Sequence, residues 1–518
     1  MQLTSGGYRL RINRTHCIIL ALIYFWIPII LFFFTWTKIY IAIISTVIVG
    51  YVFAKFISEV KRGNLQTDDS DDALEISPIA LILIVALTLF MGWISGWAGA
   101  GIGQASDWNK HNAIFRDLVE RHWPVYYDSG KPAMLTYYIA QYLVPAAVGK
   151  VTHSFDAAYR ALYIWNCAGT LLIELFVLCI AKIKTEHGKV LSVVAFWLFN
   201  GFYLLGQMFC NIWIQEDLTK YFNLHFFNIA AGQVLQYRSI FVSMRWVFPQ
   251  VIVPWLAVSL FLILRKNYRY YIFIGLPSML FGTFSFAGLV ILMVLFALCD
   301  LITDKAKIVP KLKDMFSLQN ILLIVPALVM VAYFIGNVFS EKPEEIGFRF
   351  SITSYSDLWT FIVFELCAFG IYAFLIFSKY KRNKLFYANT IALIIIPFVR
   401  MGINNDWCMC VSLAPLFVLF IMIIAYINDT KAPEASGKSL AYKGALIALL
   451  CVAALYPLYE EGGIIKQRTE NYAQLMDSFG TLEKFTAWNA EEEYRADVIY
   501  NYFTYFPEES LFYKYMAQ

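Results

Sequence analysis

The run Ser106-Asp107-Trp108-Asn109-Lys110-His111 sets a carboxylate four residues from an imidazole, just beyond the end of an apolar stretch. Four residues is about one helical turn, so on a helix Asp107 and His111 share a face. A carboxylate at that address can take a proton from a hydroxyl held at a membrane surface, with His111 able to orient it. The plainer role for Asp107 is to cap the following helix, with Phe115, Leu118 and Val119 facing lipid and Asp117 and Glu120 on the wet face. Gly130-Lys131-Pro132 closes this polar stretch, where Lys131 either meets a phosphate or structures the loop. Arg238 and Arg245 stand before a later apolar stretch. There a guanidinium can grip a phosphate through two parallel hydrogen bonds, or simply snorkel at a helix end. Arg400 opens a third polar cluster, Arg400-Met401-Gly402-Ile403-Asn404-Asn405-Asp406, suited to substrate recognition or to capping the next helix.

The elements that must position these residues are membrane helices. Of 518 residues, 60% are hydrophobic and only 15% charged, with a mean hydropathy of +0.60, which excludes an ordinary soluble domain. Thirteen spans are expected, near 17–36, 38–57, 77–96, 157–181, 189–207, 249–265, 270–282, 284–302, 318–338, 357–378, 384–403, 409–428 and 440–458. The basic loops then all fall on the side of the N-terminus, which the positive-inside rule makes cytoplasmic. The net charge of +4 is thus sorted by side and gives no reason to expect a nucleic-acid partner. Residues 135–148 are short and hold Gln141 and Pro145, and are expected as an interfacial helix on the outer face. No cleavable signal peptide is expected, and the nine cysteines lack paired metal-ligand spacing.

Four regions follow: an N-terminal helix pair with a cytoplasmic linker (1–76), a module carrying outer loops 97–156 and 208–248 (77–340), further spans (341–458), and an outer tail (459–518) that packs on the outer loops or the lipid surface.

The order of an early loop carboxylate, the turn Lys131-Pro132-Ala133 and the juxtamembrane aromatics Tyr137-Tyr138 resembles the GT-C superfamily of membrane glycosyltransferases over roughly 77–340. The Asn404-Asn405-Asp406 turn is similar to one in a bacterial branch of that class. Two features depart from the pattern: the loop follows the third span, not the first, and the turn lacks a second proline. The resemblance implies a GT-C-like helical bundle in a bacterial inner membrane, using a polyprenyl-phosphate sugar as donor and a glycan, lipid or protein as acceptor. Asp107 would be the general base of an inverting transfer, with one or more of Arg238, Arg245 and Arg400 stabilising the departing phosphate. It also carries a metal-binding or donor-positioning role to Glu216 or Asp217. An oxygen-rich pair of Asp107 and Asp217 would suit Mg²⁺ or Mn²⁺, against the reading of these carboxylates as a solvated loop.

Two other classes compete. An oligosaccharide polymerase or O-antigen-ligase-like enzyme usually carries its large loop late, whereas here the long loops come early. A transporter usually carries ionisable groups near the bilayer midplane, whereas these spans are nearly free of charge.

Overall fold

The computed structural model describes the chain apart from residues 1, 5–6, 67–72, 100–102, 105–107, 128–131, 203–226, 230–232, 339–348, 353–354, 403–404, 430–436 and 468–501. Of the candidate site residues, Asp107, Lys131, Glu216 and Asp217 therefore lie outside the described residues.

The body is helical, and its helices start where side chains satisfy orphan amides. Helix α1 (Arg14–Trp36) begins with the Asn13 carboxamide accepting the Thr15 amide at 2.8 Å. It is followed by α2 (Ile39–Lys61) and then α3 (Pro78–Ile94), which Ser77 caps with a proline at the first turn. Eight helices among the described residues are long and apolar enough to cross a membrane, or nine if one bent pair counts as a span. They coincide with eight of the expected spans, and the chain is a multi-pass α-helical protein by that measure.

The other five expected spans are shorter or broken. Segment 77–96 is α3, and 189–207 is a helix over Glu186–Leu198. Segment 384–403 is helical over Lys384–Phe398, and 249–265 belongs to the pair Ile240–Trp246 and Phe248–Leu264, bent by 114°. Segment 270–282 is a series of turns, Tyr268–Tyr270, Tyr271–Gly275 and Ser278–Phe281. Pro277 cannot donate to the preceding turn, and Gly282 is extended, so hydropathy alone overstates this stretch.

The basic loops do gather at one end. Strands β1 (Gln2–Thr4), β2 (Gly7–Asn13) and β3 (Ala73–Ile76), absent from the sequence reading, form an antiparallel sheet there. Arg9 pairs with Glu75, and the Lys189 ammonium reaches the Glu75 carbonyl and the Glu186 carboxylate. Asn267 hydrogen-bonds Gln66, and Arg269 pairs with Glu59 and Asp314. Asp300 joins Lys311 and Lys384, while Asp429 joins Lys379 and Lys443. These contacts link all seven basic segments into one belt.

The opposite end carries the loops. Helix α4 (Trp108–Glu120) does not offer its apolar side to lipid: Phe115 and Leu118 are buried, and Phe115 packs on Tyr142, Phe155 and Tyr159. Nor is Asp117 on a wet face. It is fully buried, accepts the Tyr127 hydroxyl at 2.8 Å and pairs with Arg121. The expected interfacial helix starts five residues late, as α5 (Ala140–Thr152), and is built into the protein. Its Gln141 is buried and donates to Asn166 and Tyr24, and Gly149 lies against α6 (Phe155–Ile180).

Ahead of α5, β4 (Tyr126–Tyr127) and β5 (Ala133–Leu135) make a sheet with the tail segment Phe503–Tyr505. The tail continues to a short helix, Leu511–Tyr515, whose Phe512 packs on Phe32 and Tyr333. The Gln518 carboxamide then donates to the carbonyls of Phe34, in the last turn of α1, and Thr37, just beyond it.

Candidate functional site

A helix leaves its last carbonyls without internal partners. The short helix Ile240–Trp246, capped at its start by Ser239, ends at the membrane entry that holds Arg245. The Ser243 carbonyl accepts the Val247 amide at 3.0 Å. The next three carbonyls are all taken by the first loop. Trp97 donates its indole N–H to Met244 at 3.1 Å, and Trp108 donates to Arg245 at 2.9 Å. His111 Nε2 lies 3.1 Å from the Trp246 carbonyl. Loop 97–156 is thus clipped to the far end of loop 208–248 by three side chains that no local pattern connects. Trp108 also stacks on Phe248, with ring centroids 5.0 Å apart.

The clip fixes the chemistry of His111. A carbonyl can only accept, so Nε2 carries the hydrogen. Nδ1, 2.6 Å from the Tyr142 hydroxyl, then accepts from it. His111 is a strut between α4, α5 and the second loop, with both ring nitrogens engaged. The expected pairing of His111 with Asp107 falls outside the described residues.

Arg245 is buried and also reaches back to the first loop. Its Nε donates to the Gly103 carbonyl at 2.8 Å, and its guanidinium lies 3.5 Å from Glu460 on the last long helix, Gly437–Gln467. Gly103 has φ +66°, and an added Cβ would sit 1.8 Å from the Ile94 carbonyl oxygen, so this turn requires glycine.

Arg238 is half-buried and donates from Nε to Gln236 at 2.9 Å. Arg238, Arg245 and Glu460 all lie within electrostatic reach of the Tyr456 phenol. Lys110, Arg238 and Asp406 likewise converge on the Cys410 thiol. Burial pushes the phenols of Tyr137, Tyr138 and Tyr142 well above their ordinary value of 10.0, so they remain neutral hydroxyls. The Tyr137 hydroxyl donates to Tyr138, which is in turn within the field of Asp406.

Arg400 pairs through its backbone with Arg349 and leads into the Gly402 turn, where an added Cβ would meet the Asp406 carboxylate at 2.6 Å. Asn405, at φ +53°, caps the helix Asp406–Val411 through the Cys408 amide at 3.3 Å. Part of this cluster therefore does serve as a cap.

The structure brings His111, Arg238 and Arg245 to one end, with Arg400 nearby in sequence through the Gly402 turn. Lys110, Asp406, Tyr138, Tyr456 and Glu460 join them; Asp406 and Tyr138 were read only as parts of their motifs, and Lys110, Tyr456 and Glu460 had no role assigned. The signal for Lys110 and Asp406 was their place within the quoted motifs. Tyr456 and Glu460 had none, since they sit near the end of an unremarkable apolar run. This set is cation-rich, and among the described residues no three His, Cys, Asp or Glu side chains gather as a metal set. It suits an anion held against neutral hydroxyl donors. No family model, curated protein or solved structure matches the chain.

Proposed function

We propose that the chain is a GT-C-like integral membrane glycosyltransferase. In this reading it moves a sugar from a polyprenyl phosphate to a hydroxyl of a glycan, lipid or protein on the outer face of a bacterial inner membrane, with its N-terminus in the cytoplasm. One observation carries the reading: the Trp108–Arg245 and His111–Trp246 bonds clip the segment following Asp107 to the short helix that follows Arg238 and carries Arg245.

Asp107 takes the acceptor proton, the hydroxyl oxygen bonds to the anomeric carbon with inversion, and the bond to the phosphate oxygen breaks. The electron pair leaves on the phosphate, where Arg238, Arg245 and Lys110 offset the charge, a stabilisation that grows in a water-poor setting. Arg400 and Lys131 act in donor recognition. Should Mg²⁺ or Mn²⁺ take part, Glu216 and Asp217 are the groups to hold it. The test is turnover of labelled polyprenyl-phosphate sugars by the purified protein with an acceptor extract. Release of the lipid phosphate supports the reading, and no turnover with any donor overturns it.

A transporter of a lipid-linked or sugar substrate gains one point. The spans are less free of charge than the sequence argument held, because Glu174 lies inside α6 and Glu365 inside Leu358–Tyr380.

A further inference from the structure

The two carboxyl groups inside spans differ in one respect. Glu174 is buried and satisfied: it accepts the Thr88 hydroxyl at 2.6 Å and the Trp197 indole at 2.8 Å. Glu365 is not. Both of its carboxyl oxygens are shut off from solvent and have no hydrogen-bond partner among the described residues. An ionised carboxylate left so would cost far more than a hydrogen bond can return, so its resting form is the neutral acid.

The helix is irregular at that point. Glu365 ends the α-helix Tyr355–Glu365, and Leu366–Gly370 follows as a π-helical turn. Such single widened turns recur at functional positions, because the extra residue frees backbone groups and re-aims a side chain. Glu365 lies seven residues in from Leu358, about 10 Å along the helix. The other end of that span is tied to the basic belt by Lys379 and Asp429. Glu365 therefore belongs to the half of the membrane nearer the loops.

Its neighbours point the same way. The Phe202 amide donates to the Cys367 carbonyl at 2.9 Å, and Tyr237 packs on Phe364 with centroids 4.9 Å apart. A residue just before the second loop and one within it thus rest on the turns around Glu365. Of the titratable groups facing it among the described residues, the Cys408 thiol lies within its field. The Tyr237 hydroxyl is turned away to the Leu393 carbonyl at 2.5 Å, and that of Tyr372 to the Asn200 carbonyl at 3.0 Å. No lysine, arginine or second carboxyl faces it among the described residues. A metal cation needs several oxygen ligands, whereas a proton needs one.

We propose that Glu365 and the widened turn Leu366–Gly370 form an intramembrane proton-binding site, loaded from the end of the protein that carries the loops. It binds and releases one proton without a metal ion, whichever reaction the loops perform.

Dicyclohexylcarbodiimide, a membrane-soluble reagent for protonated carboxyl groups, tests this on the full-length protein in liposomes. Ile362 and Leu366, on either side of Glu365, face outward and leave a route from the lipid. Peptide mass mapping should show adduct at Glu365, falling as the outer pH is raised and insensitive to sodium at fixed ionic strength. Glu174, with both oxygens occupied, should label much less. Glu365→Gln should lose the adduct at this site and keep the others, and the wild-type pH profile stands alone if that variant does not fold. An unlabelled Glu365 at every pH would overturn the proposal. So would protection by sodium, or labelling that follows only the pH on the side of the basic belt.

Discussion

His111 joins three elements through two bonds, and this can be measured as a coupling. Tyr142→Phe removes the hydroxyl that donates to Nδ1 and leaves that nitrogen buried without a donor. Such an orphaned group costs about 1–3 kcal/mol. His111→Phe removes both bonds and orphans the Tyr142 hydroxyl and the Trp246 carbonyl, for about 2–6 kcal/mol. In the double variant the first orphan disappears with its partner, and only the Trp246 carbonyl is left. The two costs should therefore fail to add, and the double variant should be more stable than their sum by at least about 2 kcal/mol, because both ends of the broken pair are gone. Reversible unfolding of the purified protein in mixed micelles, read by tryptophan fluorescence, gives the three free-energy differences. Strictly additive costs would show that His111 and Tyr142 do not share a hydrogen bond. The His111 ring would then lose the bond that sets its Nε2 hydrogen toward the Trp246 carbonyl.

If the arginines hold a lipid phosphate, Arg238→Ala should lower the transfer rate about 10²–10³-fold, the loss typical of removing one charge-stabilising donor. Arg238→Lys should recover part of it, because an ammonium keeps the charge without the planar fork. Steady-state rates at saturating donor check this, and an unchanged rate would remove Arg238 from the site. Deleting residues 503–518 should expose loop 97–156 to limited proteolysis, because it strips the strand paired with β5 and the Gln518 bonds to the carbonyls of Phe34 and Thr37. An unchanged cleavage pattern would mean the tail does not hold that loop.

The membrane class, eight of the helices and the belt of basic loops were legible in the sequence because hydropathy and charge sorting are local signals summed over long windows. What escaped depends on partners far away in the chain. Asp117 reads as a wet-face carboxylate from helical spacing, yet Tyr127 and Arg121 make it buried. Gln141 looked too polar for anything but an interface until Asn166 and Tyr24 supplied its bonds. The tail strand Phe503–Tyr505 is three residues long and gains meaning only beside β5. Of the clip, Trp108 and His111 lay within a quoted motif and Arg245 stood out, while Trp97 gave no signal. The geometry of the clip was not legible, because it arises from the orphaned carbonyls of a seven-residue helix.

The central claim is that the clipped loops form the site of sugar transfer with Asp107 as base. Its most direct test is a single-turnover transfer from a labelled polyprenyl-phosphate sugar, comparing wild type with Asp107→Asn under matched thermal stability and donor binding. The account predicts a rate about 10²–10⁴-fold lower in the variant, the range of general-base assistance, with binding retained. Equal rates in the two proteins would contradict it.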